Sequence, residues 1–182
     1  MKATGVVRRI DDLGRIVIPK EIRKTLRIKE GSPLEIFTEK DGDIILRKYS
    51  PIGELANFSA EYADSISKVT NQITIVTDKD SVIVVSGCLK KDFLEQSISQ
   101  ELEKIMDKRE MYNSENEGII PITFKGNKEK EQKSQVIAPI ISDSEIIGSI
   151  ILLAKENGTK FGQSEEQLLK VAASFLGNQM EI

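Results

Sequence analysis

The apolar positions come in short runs whose period changes along the chain. Residues 4–10 (TGVVRRI) and 13–18 (LGRIVI) are rich in β-branched residues and are broken by the turn chemistry of "DDLG", which predicts two strands. Pro19 suits the first helical position, where a missing N–H costs nothing. Residues 20–27 then predict about two helical turns. Ile22 and Leu26 share their inner face, and Lys20, Arg23, Lys24 and Arg27 lie off it. "LEIFTE" and "IILRK" alternate around "KDGD", a hairpin signal with Asp41–Gly42 at its turn. The first 50 residues therefore read β-β-α-β-β.

Pro51 and Gly53 mark a boundary, giving expected domains 1–52 and 53–182. Ile52, Leu55, Ser59, Tyr62, Ile66 and Val69 follow at spacings of three and four. That stripe fits either a coiled-coil seam weakened by Ser59 or an amphipathic helix packed on its own domain. Residues 72–87 predict strand, turn, strand. Residues 91–110 predict a helix with Leu94, Ile98, Leu102, Ile105 and Met106 on one stripe. "IIPITF" (119–124) is a strand candidate, and "NKEKEQK" (127–133) reads as a solvated loop. "QVIAPII" and "EIIGSIILLA" predict two more strands. Ser164 with Gln167 fits a capping box opening a helix over 165–180, which buries Leu168, Leu169, Ala172, Phe175, Leu176 and Met180. The body is an α+β domain.

Charge sharpens this division. Residues 1–50 hold 12 Lys/Arg and 8 Asp/Glu, a net +4; residues 51–182 hold 14 and 21, a net −7. A basic head on an acidic body points to a polyanion met by the head alone. The head is also too small to bury much surface, and it has no cysteine or metal to staple it. "RIVI" is apolar on both faces, as expected if a second chain covers it. An obligate dimer follows.

Histidine is absent, which removes imidazole bases, Ser/His and Cys/His pairs and histidine metal ligands. The single cysteine, Cys88, excludes an internal disulfide and a multi-thiolate zinc site. No apolar run is long enough to span a bilayer and the N-terminus carries no signal-peptide pattern, so a cytoplasmic protein is expected. No enzyme activity, cofactor or metal is expected. Binding to double-stranded DNA is: Arg8, Arg9, Arg15, Lys20, Arg23, Lys24 and Arg27 fall within about twenty residues. Gly14 lets a turn present Arg15, and arginine is suited to forked contact with guanine or phosphate.

The stretch "TGVVRRIDDLGRIVIPKEIRKTLRIKEGSPLEIFTEKDGDIILRKY" closely resembles the AbrB-like transition-state regulator domain. The resemblance implies a mainly β swapped-hairpin barrel built by two interleaved chains. It places DNA-contacting arginines at Arg8, Arg15 and Arg23. Lys24 stands where a second arginine is common, which keeps the charge but loses the fork. The same family includes antitoxins, so an antitoxin-like or protein-interaction module is the alternative. "EIIGSIILLAKENGTKFGQSEEQLLKVAASFLGNQM" resembles the end of a GAF domain. That implies a sensor fold, with Ser86, Gly87, Cys88 and Phe161 as candidate ligand contacts. Phe161 also reads as a core anchor and Cys88 as a small buried hydrophobe. Asn157, Lys160, Phe161, Glu165 and Glu166 depart from the spacing of the fold's cyclic-nucleotide signature. Together the two resemblances imply a transcription regulator of late sporulation genes, acting in the forespore. A homodimer through the head and a homotetramer through the body are expected.

Overall fold

In a computed structural model of the chain, residues 6–54, 56–124 and 133–179 are described. Leu55, Met180 and nearly all of the 127–133 charge run lie outside them. The chain divides into two compact units, Met1–Tyr49 and Ser50–Ile182.

The first unit has one short helix, α1 (Lys20–Thr25), and one hairpin, β1 (Leu34–Thr38) with β2 (Ile44–Lys48). The hairpin register runs from Leu34↔Lys48 to Thr38↔Ile44. Its turn closes through Glu39 N–H to the Asp43 carbonyl, with Gly42 at φ 86° as that tight reversal requires. The strands expected over 4–10 and 13–18 do not form among residues 6–18 of the single chain. A strand needs a ladder partner for its N–H and C=O groups, and beyond its own turn at Asp11–Arg15 the described residues give that segment none. No residue from 6 to 49 is buried. Ile22 is half-buried, and Leu26, expected on the inner face, is 55% exposed. The first unit is a surface without an interior.

The second unit holds α2 (Pro51–Glu54), α3 (Ala56–Thr70), β3 (Ile73–Asp78), β4 (Val82–Ser86), a 3₁₀ turn at Lys90–Asp92, α4 (Gln100–Lys108), β5 (Tyr112–Asn113), α5 (Ser114–Glu117), β6 (Gln135–Ser142), β7 (Glu145–Leu153) and α6 (Gln163–Asn178). The strands form one antiparallel sheet in the order β4-β3-β7-β6-β5. Both faces are covered, so its strands read as near-continuous apolar runs. Val136, Ala138, Ile140, Ile150 and Leu152 join Ile52, Ala63, Leu169 and Leu176 under α3 and α6. Ile75, Ile137, Ile151 and Leu153 point the other way, onto Phe93, Ile98, Leu102 and Met106. Asp143 and Ser144, both at positive φ, make the tight β6–β7 turn.

Ile52, Ser59 and Ile66 are buried in this unit's own core, so their stripe packs on its own domain. The helix expected over 91–110 begins only after Ser99, whose hydroxyl accepts the Leu102 N–H at 3.0 Å. Phe93 and Ile98 are buried from irregular chain instead. The 119–124 segment forms no strand. Pro121 lacks a donor, and an isolated bridge, Ile98↔Thr123, with a hydrogen bond from the Ser99 hydroxyl to the Pro121 carbonyl (2.6 Å), joins it to the 97–99 segment. The fifth strand is Tyr112–Asn113. At the last helix the cap sits two residues upstream of the expected capping box: Glu165 Oε2 accepts the Gly162 N–H at 2.8 Å.

Candidate nucleic-acid interface

Asp11 builds the turn that presents Arg15. Its Oδ1 accepts the N–H groups of Leu13 (3.1 Å) and Arg15 (2.7 Å), and its Oδ2 accepts Arg15 Nε at 2.7 Å. Backbone bonds from Asp11 N–H to the Arg15 carbonyl and from Gly14 N–H to the Asp11 carbonyl close the loop. Gly14 takes φ 76°, and a side chain there would be strained. Bonding to the Arg15 backbone, then to its side chain, holds the Asp11 carboxyl below the usual carboxylate range. Arg15 itself remains largely exposed. Asp11 was not among the expected site residues. The signal was an aspartate four residues before an arginine, across a glycine turn.

Arg8 and Arg9 are exposed on the extended segment before this turn. Lys20, Arg23 and Lys24 stand on α1. Lys20 and Lys24 are exposed, whereas Arg23 is half-buried and its Nε is shielded without a hydrogen-bond partner. Arg27 follows the helix at φ 52°. All seven expected cations therefore belong to one small unit, and only Arg23 is partly withdrawn from water. The same unit exposes Val7 (87%), Leu13 (70%), Val17 (71%) and Ile36 (66%).

In the body, Ser86, Gly87 and Cys88 do line a groove, of about 590 Å³, between α3 and β4. Phe161 is buried in the core under α6 and does not line it. No group of metal-binding residues occurs among the described residues. No helix among them is long and apolar enough to cross a membrane.

Residues 54–181 match the family described as "Stage V sporulation protein T C-terminal, transcription factor". The Bacillus subtilis stage V sporulation protein T is 45% identical over 181 residues, covering 100% of this chain and 99% of that protein. The chain belongs to this family of transcription factors. Residues 7–54 match the family described as "Antidote-toxin recognition MazE, bacterial antitoxin". The transition state regulatory protein AbrB of B. subtilis is 39% identical over 102 residues, covering 55% of this chain and 88% of that protein. The body has the GAF fold. The Thermosynechococcus elongatus PixJ GAF domain superposes at TM-score 0.57 and 12% identity, covering 72% of this chain and 87% of that one. The family is one of transcription factors, so the protein is a DNA-binding regulator with an AbrB-like head and a GAF-fold body.

Proposed function

We propose that two chains complete one head, and that this head reads specific DNA sites to regulate late sporulation genes. The observation that carries the reading is that residues 6–49 have no buried member while seven cations crowd the same unit. Burying one large aliphatic side chain stabilises by about 1.5–3 kcal/mol. A partner that covers Val7, Ile10, Leu13, Val17, Leu26 and Ile36 would supply on the order of 10 kcal/mol, as much as a whole small domain. Pairing of the 6–18 segments would also satisfy their backbone groups. The two-fold axis doubles the set Arg8, Arg9, Arg15, Lys20, Arg23, Lys24 and Arg27. Arg15, on its rigid tip, is the base-reading candidate, and the lysines are phosphate contacts. Fluorescence anisotropy of labelled duplex against the full chain tests this: Arg15→Ala weakens binding at least tenfold, whereas unchanged affinity removes Arg15 from the interface.

The bodies pair in turn, making a tetramer. Phe175 lies 5.7 Å from Phe58 and 5.1 Å from Tyr62, ring centre to ring centre, between α6 and α3. Phe175, Val171 on the next turn and Val69 on α3 are all exposed. Native mass spectrometry of Phe175→Asp should show dimers where the parent chain shows tetramers.

The match of residues 7–54 to antitoxins supports one rival, a head used only to dimerise and hold a protein partner. A protein that copurifies with a toxin-like partner and leaves no footprint on any duplex would decide for that rival.

A further inference from the structure

The contact between α6 and β6 is closed at one end and open at the other. At Gly177 the helix lies so near the strand that an added Cβ would sit 2.1 Å from the Ile141 carbonyl oxygen. Towards Ala173 and Lys170 a groove of about 280 Å³ opens, near the lower limit for small-molecule sites. Its far wall comes from the end of α4. Arg109 caps that helix in the left-handed conformation (φ 59°), and both Arg109 and Met111 line the groove. Its floor includes Pro139 and Ile141 of β6. β5 pairs only with Val136 and Ile137, so this part of β6, paired with β7 on one side, has no strand on the other. Pro139 lacks an N–H, which makes the edge a poor template for an added strand. The space suits a small ligand.

The charges define its chemistry. The body carries a net −7, yet the two cations that line this groove, Arg109 and Lys170, make no ion pair among the described residues. Arg109 comes from the end of α4 and Lys170 from α6, and the lining between these elements and β6 is apolar at Met111, Pro139, Ile141 and Ala173 and polar at Ser174 and Asn178. A guanidinium and an ammonium lining one largely apolar groove complement an anionic head on a short hydrocarbon body. We propose that this groove binds a short apolar carboxylate, an effector site separate from the DNA-binding head and from the Ser86–Cys88 groove.

The test uses the full chain with ¹³C-methyl-labelled methionine, titrated with isobutyrate and separately with inorganic phosphate. Isobutyrate should shift the Met111 methyl saturably within tens of millimolar, and phosphate should not. Arg109→Gly should weaken that binding about tenfold or more, the loss expected for one charge-assisted hydrogen bond. Glycine favours the left-handed conformation, so this variant should keep or raise the melting temperature. Lys170→Gln should weaken binding in the same sense. The proposal fails if Met111 shows no saturable isobutyrate shift, if Arg109→Gly binds as the parent does, or if phosphate acts equally well.

Discussion

The Asp11 carboxylate accepts three hydrogen bonds within its own turn, two of them from Arg15. The carboxylate therefore acts on the arginine it neighbours, setting where the guanidinium points before any duplex arrives. Because its folded value lies below the ordinary carboxylate range, its contribution to the turn is complete above that range. That contribution is lost as the pH falls through the depressed folded value. The Arg15 Nε–H resonance should accordingly lose protection on acidification, and Asp11→Asn should abolish that titration. Binding at neutral pH should weaken in Asp11→Ala by less than in Arg15→Ala, since the first loosens the turn and the second removes the proposed contact. Arg23 is a different case. Its half-buried stem and shielded Nε mean that Arg23→Ala should lower the melting temperature as well as affinity.

At the scale of elements, what could be read from sequence depended on where each element finds its partners. β3, β4, β6 and β7 were legible because their apolar runs are flanked by Asx and Gly turns and pair within the chain. The β1–β2 hairpin was legible from Asp41–Gly42 for the same reason. The 91–110 helix was overread. Phe93, Leu94 and Ile98 keep apolar spacing, but Ser99 caps a later start and the preceding residues pack as coil. β5 escaped because its two residues carry no pattern of their own. It is held by Asn113, whose Nδ2 donates to the Phe161 carbonyl (3.1 Å) and Glu166 Oε1 (2.7 Å). The seven cations were visible as a cluster. The Ser86–Cys88 lining was visible only as a strand end, and Phe161 went to the core. Two elements admit direct checks by thermal unfolding. Ser99→Ala removes a helix cap and should cost about 1 kcal/mol. Gly177→Ala drives a methyl into the Ile141 carbonyl and should cost about 1–3 kcal/mol.

As a whole, the molecule joins a coreless basic head to a well-packed acidic body. Association with DNA should therefore be strongly electrostatic. A dimeric head that neutralises roughly eight phosphates gives a log–log salt slope near −7, and a slope near zero would rule out phosphate contacts as the source of affinity. Joining two such heads through the body pairing proposed above should raise affinity for duplexes carrying two sites at matched spacing, because the second contact becomes intramolecular. The Phe175→Asp dimer should lose that gain while binding a single site as before.

Everything above depends on the first unit taking its interior from another copy of itself. Isotope-filtered NOE spectroscopy on a one-to-one mixture of labelled and unlabelled full-length chains measures this directly. Contacts between labelled and unlabelled methyls should connect Val7, Ile10 and Val17 with Leu26, Ile36 and Ile44. If those methyls show contacts only within their own chain, or remain in water in a monomer, the head is not shared between chains and the account is wrong.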